Sequence, residues 1–220
     1  VPDDVPAILA RWAPPRAGPG RPLRSLVATI GIGAGPPVGV TDIDLIGEGP
    51  HALVAGTTGA GKSELLQSLI LSLALRYPPT EVAMVLVDYK GGASFGACAD
   101  LPHVVGQVTD LGPVEAARAL DGLRWELRRR ETLLAAAGLA DLELLRAHGA
   151  APPRLLVVVD EFRAMTEDLP DFVPSLVRLA AQGRSLGIHL VLATQRPAGA
   201  VDGQMRANLA LRICLRVTEP

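Results

Sequence analysis

The sequence predicts an α/β domain in which a mainly parallel sheet is covered by helices on both faces. From His51 onward, short apolar runs alternate with longer segments of helical spacing. Strands that are buried on both faces have continuous apolar sequences, and so this alternation indicates parallel pairing. The chain has 220 residues, of which 49% are hydrophobic, and this suffices for one large domain but not comfortably for two.

Two segments precede the main sheet. We interpret residues 1–25, which are rich in proline, glycine and arginine, as a lead-in or linker segment with Trp12 as its only large anchor. Residues 26–220 form the main domain, which begins with a small β lead-in of two strands, Leu26–Ile32 and Val38–Ile46. The strands predicted for the main sheet are Ala52–Ala55, Val82–Val87, Val104–Val108, Leu155–Val159, Ile188–Ala193 and Leu211–Val217. The helices predicted between them are Ser63–Arg76, Pro113–Ala137, Asp141–Ala147 and Asp171–Leu186.

The longest predicted helix has one apolar face and a charged run. Its spacing places Leu120, Leu123, Leu127 and Leu134 on the same side. We interpret the run Arg128-Arg129-Arg130 as a solvated helix face with local ion pairs, in preference to a DNA contact.

The composition limits the classes of function. A formal net charge of -2 gives no overall attraction to nucleic acid or to an acidic membrane surface. Cys98 and Cys214 lack metal-ligand spacing, and we predict that both are free, buried thiols in a reducing cytoplasm. The histidines are scattered singly, so we predict no zinc site. Because no apolar run has membrane-spanning length and no signal peptide begins the chain, we expect a soluble cytoplasmic segment.

A glycine-rich motif follows the first strand of the main sheet. It fits G-x-x-x-x-G-K-[ST], with a strand before it and an amphipathic helix after it. Glycines let backbone N–H groups approach phosphate oxygens, and the helix N-terminus adds partial positive charge. We predict that Lys62 reaches the β- and γ-phosphates of ATP and that the Ser63 hydroxyl ligates Mg²⁺. The predicted nucleotide-binding residues are Gly56, Thr57, Thr58, Gly59, Ala60, Gly61, Lys62, Ser63 and Glu64.

A phosphate loop also needs an acidic residue at the end of a nearby strand to hold the metal. Asp88 and Asp160 both end apolar strands, but only Asp160 is followed by a second carboxylate, Glu161. We predict that Asp160 holds Mg²⁺ and that Glu161 polarises the water that attacks the γ-phosphate. The loop that begins at Asp88 and contains Lys90 is either a structural turn or a working loop near the site or a subunit boundary.

Two further residues are candidates for catalytic roles. Gln195 ends the strand that follows the last long helix, where it is placed to sense the γ-phosphate or the attacking water; a cap or turn is the competing interpretation. Arg184 lies at the end of that helix. It either neutralises the C-terminal carbonyl groups of the helix or reaches the phosphate of a neighbouring subunit as an arginine finger.

Several separated motifs, in the same order, resemble those of a known family. The segments GTTGAGKS (Gly56–Ser63), LLVVVDEF (Leu155–Phe162) and GRSLGIHLVLATQRP (Gly183–Pro197) resemble the FtsK/SpoIIIE ATPases. Within that family, three segments are similar to EccC, the motor of type VII secretion: VDYKGGASF (Val87–Phe95), LPHVVGQVTDL (Leu101–Leu111) and WELRRRETLL (Trp125–Leu134). The resemblance extends from about Leu26 to the end of the chain.

The resemblance implies a RecA-like P-loop fold and a hexameric ring with ATP sites between subunits. It supports Lys62 and Ser63 in binding ATP and Mg²⁺, Asp160 as a metal ligand, Glu161 as catalytic base and Gln195 as sensor. It also matches Arg184 to an arginine that acts in trans.

The family pattern continues beyond the last predicted strand, so the resemblance further implies that residues 26–220 are an ATPase domain truncated at its C-terminus. The implied partners are other ATPase domains or subunits, a secreted protein substrate and membrane secretion components, and the implied location is the cytoplasmic face of a membrane-anchored protein. Two alternatives stay open: a double-stranded DNA translocase of the same family, and a nucleotide-bound docking module that turns over slowly.

Overall fold

The computed structural model describes residues 5–12, 25–33, 39–89, 94–109, 113–149, 151–195 and 203–217. These residues contain eight strands: β1 (Val27–Ile32), β2 (Val40–Asp44), β3 (His51–Ala55), β4 (Val82–Asp88), β5 (Val104–Thr109), β6 (Arg154–Asp160), β7 (Ile188–Thr194) and β8 (Leu211–Cys214). Strands β3 to β8 form one sheet in the order β5-β4-β6-β7-β3-β8, and every pair in it is parallel. Strands β1 and β2 form a separate antiparallel pair. The predicted α/β class and β lead-in are therefore confirmed.

The helices cover this sheet. They are α1 (Val5–Trp12), α2 (Lys62–Arg76), α3 (Pro113–Ala137), α4 (Leu142–His148), α5 (Phe162–Asp168), α6 (Val173–Leu186) and α7 (Gly203–Asn208), with short 3-10 helices at Gly96–Asp100 and Pro170–Phe172. Helices α1, α5 and α7 were not predicted, because segments of six to eight residues give little room for a repeating apolar period. Helix α4 is equally short but was predicted. Within the described ranges, no helix has the length and apolar character needed to span a membrane.

Each central strand contributes side chains to two cores. In β6, Leu155, Val157 and Val159 pack against the helical layer formed by α3, α5, α6 and α7. Leu156 and Val158 point to the other side, where α2 and the β1–β2 pair cover the sheet. This period-two alternation with both faces buried explains the continuous apolar runs in the sequence.

Two predictions about individual side chains are wrong. The predicted apolar face of α3 is buried as expected, but the face also includes Arg130, whose residue exposure is 2%, while Arg128 and Arg129 are exposed. Arg130 therefore does not belong to a solvated face. Cys98 is buried, but Cys214 is exposed because it lies on β8, an edge strand of the main sheet.

The segments before the main sheet pack on α2. Leu26, which precedes β1, and Ala28 of β1 are fully buried in the core that includes this helix. Trp12 of α1 donates a hydrogen bond from Nε1 to the Ala74 carbonyl oxygen at 3.1 Å, and its ring meets the edge of His103 at a centroid distance of 5.2 Å. The α2 helix is thus fixed on its outer side as well as against the sheet.

Candidate nucleotide-binding site

The predicted site residues, with one exception, meet at one edge of the main sheet. Because all six strands are parallel, their carboxyl ends lie at the same edge. The glycine-rich loop follows β3, Asp88 ends β4, Asp160 ends β6 and Gln195 follows β7. Strand β7 lies between β3 and β6, so the acidic strand is the second neighbour of the phosphate-loop strand rather than the first.

The glycine-rich loop has the backbone of a phosphate cradle. Gly59 and Gly61 have φ values of 70° and 93°, in the left-handed region that glycine adopts without steric cost. The loop is anchored on both sides: the Gly56 N–H donates to the Thr194 carbonyl oxygen at 3.2 Å, and the Thr57 N–H donates to the Arg216 carbonyl oxygen at 3.0 Å. Helix α2 begins directly after Gly61, so its free N–H groups face the loop.

Lys62 lies inside the loop. It is buried, and its Nζ donates to the Gly56 carbonyl oxygen at 3.0 Å. Among the described residues this is the only acceptor of the ammonium group, so two of its three N–H donors are left for phosphate oxygens. A Cβ at Gly56 would lie 3.3 Å from the Lys62 Cγ and 3.0 Å from the Leu215 Cβ, so a larger residue would crowd the place where the loop and the lysine meet.

Asp160 and Asp88 are neighbours on the sheet. They are paired in register, both are buried, and both lie on the face that α2 covers. At about 4.8 Å between adjacent strands, Asp160 is ~10 Å from β3 in the plane of the sheet, whereas Asp88 is ~14 Å away. Asp160 is therefore the carboxylate whose strand is closer to the phosphate-loop strand, and its role as a metal ligand stays a prediction.

The environment of Asp160 suits a cation. Burial, together with the nearby charge of Glu161, raises the pKa of this carboxyl group, and hydrogen bonds from the Ser94 side chain and the Glu161 N–H and the charge of Lys62 offset the rise only in part. A buried carboxylate with so few compensating charges gains from a bound divalent ion. Ser63, the second residue of α2, carries the hydroxyl group that was predicted as the other ligand. These donors are hard oxygen ligands, the type that Mg²⁺ prefers.

A chain of hydrogen bonds links the phosphate loop to the second acid. The Thr58 hydroxyl donates to Gln195 Oε1 at 2.9 Å, and Gln195 Nε2 donates to Glu161 Oε1 at 2.5 Å. Glu161 has φ 56° and ψ 40°, and it is the single non-glycine residue with positive φ among those described. Such a backbone costs on the order of 1–2 kcal/mol, and strain of this kind is typical of functional sites.

Two contacts of the residues that follow β4 and precede Phe95 were not predicted. The Ser94 N–H donates to Asp88 Oδ2 at 3.2 Å, so Asp88 anchors the backbone at Ser94. The Tyr89 hydroxyl donates to Asp168 Oδ2 at 2.6 Å, and burial together with this bond raises the pKa of Tyr89 to about 12. Lys90 lies outside the described residues. The partner of Tyr89 lies 79 residues away along the chain, so no local pattern in the sequence marks that contact.

Arg184 is the exception to the convergence at the carboxyl edge. It lies near the C-terminus of α6, which leads into the start of β7, at the amino edge of the sheet. With seven residues at about 3.3 Å each, β7 separates Arg184 from the phosphate loop of the same chain by roughly 20 Å. The residue is exposed and lines a cavity of about 460 Å³ with Arg154, His189 and Glu143. It therefore cannot reach its own phosphate loop.

Comparison with known proteins agrees with this geometry. The model of the FtsK/SpoIIIE family matches residues 33–151 and 146–199. The type VII secretion system protein EssC of Staphylococcus aureus is 46% identical over 180 residues, which are 78% of this chain and 12% of that protein.

Two solved structures are similar as well. The cytoplasmic domain of the Thermomonospora curvata type VII secretion ATPase EccC is 36% identical with a TM-score of 0.79, over 96% of this chain and 25% of that one. ATPases 2 and 3 of the same EccC, solved in complex with a signal sequence peptide, are 30% identical with a TM-score of 0.80, over 89% of this chain and 37% of that one. The predicted resemblance to EccC is thereby confirmed, and the chain belongs to the FtsK/SpoIIIE family of P-loop ATPases.

Proposed function

We propose that this chain binds and hydrolyses Mg-ATP as a motor domain of a type VII secretion ATPase that drives protein export across the cytoplasmic membrane. The observation that carries the hydrolytic part is the hydrogen-bonded chain Thr58–Gln195–Glu161 beside the phosphate loop. It connects the phosphate-binding backbone to a carboxylate that a simple nucleotide binder would not need. The similarity to EssC and EccC supports the secretion part.

In the proposed reaction, the loop from Gly56 to Ser63 binds the β- and γ-phosphates through backbone N–H groups and Lys62. Ser63 and Asp160 would hold Mg²⁺, which neutralises phosphate charge when bound. Glu161 accepts a proton from a water molecule as the water oxygen attacks the γ-phosphorus. The bond between the γ-phosphorus and the β–γ bridging oxygen breaks, giving ADP and phosphate. Gln195 orients both the water and the Glu161 carboxylate.

We further propose that Arg184 acts on the site of a neighbouring copy. The phosphate loop lies at the carboxyl edge of the sheet and Arg184 at the amino edge. A head-to-tail contact between copies would bring the two edges together, and repetition of that contact closes a ring when the rotation permits. A hexamer is the size that the family resemblance implies. The added guanidinium would stabilise charge on the transferring phosphoryl group.

The proposed cargo is a secreted protein, because EccC binds a signal sequence peptide in a solved complex. The proposed location is the cytoplasmic face of a membrane-anchored assembly. Double-stranded DNA is the alternative cargo, and it would require a basic channel in spite of the net charge of -2.

The test is the rate of ATP turnover against protein concentration, with and without double-stranded DNA. We expect a rate per molecule that rises with concentration and does not respond to DNA. Glu161→Gln should abolish turnover and keep ATP binding, while Lys62→Ala should abolish binding. Glu167→Gln, which changes an exposed acid on α5, is the matched control and should keep the wild-type rate. Equal, negligible turnover in wild type and Glu161→Gln would favour the docking module, and strong, salt-sensitive stimulation by DNA would favour the translocase.

A further inference from the structure

Arg130 is a buried cation inside an otherwise apolar helix face. The exposed fraction of its side chain is 2%, and it lies on the same face of α3 as the buried residues Leu127 and Leu134. Removing a guanidinium from water is costly unless each N–H finds an acceptor. A methionine or leucine would fill this position without that cost, so the hydrogen bonds of the guanidinium must account for an arginine here.

Those contacts converge on one turn of the chain. Arg130 Nη1 donates to the carbonyl oxygens of Leu186 at 2.8 Å and Gly187 at 3.2 Å, and Nη2 donates to that of Pro153 at 2.6 Å. Its Nε donates to Glu126 Oε1 at 2.6 Å, which orients the fork. Arg130 thus ties the end of α6 to the residue before β6.

The turn that Arg130 holds also carries Arg184. Helix α6 ends at Leu186, and Gly187 caps it in the left-handed conformation with φ 66°. A Cβ at Gly187 would lie 2.2 Å from the Leu142 Cδ2, so α4 closes the turn from the other side. The exposed Arg184 is therefore attached to a backbone that is fixed by a charged fork on one side and close packing on the other.

We propose that Arg130, oriented by Glu126, is a positioning residue for Arg184, and that it sets the geometry with which each copy reaches the ATP site of its neighbour. This inference rests on the proposed function of Arg184 in trans. Capping of the α6 C-terminus alone would need only one hydrogen bond to a carbonyl group. The planar guanidinium instead fixes the carbonyl groups of two consecutive residues and a third from another segment. Displacement of a catalytic group by about 1 Å can cost on the order of 100-fold in rate.

The experiment uses mixtures of variants, because loss of Glu161 and loss of Arg184 affect opposite edges of the sheet in the same chain. A copy with Glu161→Gln has a dead site but an intact Arg184 edge. A copy with Arg184→Ala has an intact site but no guanidinium to offer. Mixing the two should restore turnover at the sites of the Arg184→Ala copies. Arg130→Met should behave like Arg184→Ala in this assay, with turnover lowered by roughly 10- to 100-fold and ATP affinity retained.

A matched control separates positioning from general stability. Arg146→Met removes another buried arginine, whose hydrogen bond of 3.1 Å goes to the Pro152 carbonyl oxygen and not to the carbonyl groups at the end of α6. It should keep wild-type turnover. Arg130→Lys keeps the charge with one compact donor group, so an intermediate loss is expected. It also serves in the mixing assay if Arg130→Met does not fold.

The results distinguish the proposals. Restoration of Arg130 variants by Glu161→Gln copies, and not by Arg184→Ala copies, supports the positioning role. Wild-type turnover in Arg130→Met, or a loss that Glu161→Gln copies do not restore, overturns it. If Arg184→Ala itself turns over ATP at the wild-type rate, the shared site of the proposed function has failed, and the role of Arg130 fails with it.

Discussion

Two buried histidines should make the stability of this domain fall steeply in mild acid. His51 Nδ1 accepts a hydrogen bond from the Leu190 N–H at 3.0 Å. His189 bonds to the Pro50 carbonyl oxygen through Nδ1 and to Arg154 through Nε2, each at 3.0 Å. Burial is the main cause that lowers the pKa of His51 from 6.5 to about 4, and burial with the charge of Arg154 lowers that of His189 to about 3.

The magnitude follows from proton linkage. Both rings are neutral in the folded state at a pH where the unfolded chain protonates them, so the unfolded state binds more protons. The contribution of the neutral histidines to the free energy of unfolding is complete above about pH 6.5 and declines as the pH falls. The decline levels off below about pH 4 for His51 and about pH 3 for His189. One pKa unit corresponds to 1.36 kcal/mol, so each histidine costs about 2 kcal/mol at pH 5. The sum of ~4 kcal/mol is a large share of the 5–15 kcal/mol typical of domains.

Urea unfolding followed by circular dichroism between about pH 7.5 and pH 5 measures this loss. His51→Asn keeps an acceptor oxygen near the Nδ1 position but removes the titrating group. Its unfolding free energy should therefore decline by about 2 kcal/mol less than that of the wild type over this range. His148→Asn, at an exposed position on α4, is the control and should follow the wild type. An equally steep decline in His51→Asn and wild type would refute the reasoning.

Three further outcomes are expected. Gly183→Ala would place a Cβ 2.6 Å from a backbone carbonyl oxygen and should lower the unfolding free energy by about 1–3 kcal/mol. Gly122→Ala, where a Cβ would meet open space, should raise the unfolding free energy by up to about 1 kcal/mol. Chemical denaturation measures both changes. Gln195→Ala should reduce ATP turnover by at least about tenfold without loss of nucleotide binding, measured by turnover and by titration. In native protein a thiol reagent should label Cys214 rapidly and Cys98 slowly, because burial shields Cys98 and raises its pKa; equal rates would contradict this.

The sequence predicted the strands, the phosphate loop and the residues that end strands, because each of these depends on a local pattern. Gln195 could be placed beside the acids since the residue after a buried parallel strand lies at the carboxyl edge. The insertion of β7 between β3 and β6 could not be predicted, because strand order depends on pairing between distant segments.

Arg130 shows where local reasoning went wrong. It follows Leu123 by seven positions and Leu127 by three, so helical spacing already places it on the apolar face. Its membership of a run of three arginines masked that spacing. The acceptors that make its burial tolerable, at residues 153, 186 and 187, are supplied by tertiary structure and leave no mark near Arg130 in the sequence.

Strand β7 has an unusual position in relation to the proposed ring. All seven of its residues are buried, Gln195 follows its last residue, and Arg184 lies four residues before its first. In the proposed ring, the buried strand β7 would therefore connect the ATP site of one copy with the Arg184 that completes the ATP site of its neighbour. A change at the Gln195 end of β7 would therefore bear on the Arg184 end through a strand that is buried along its whole length.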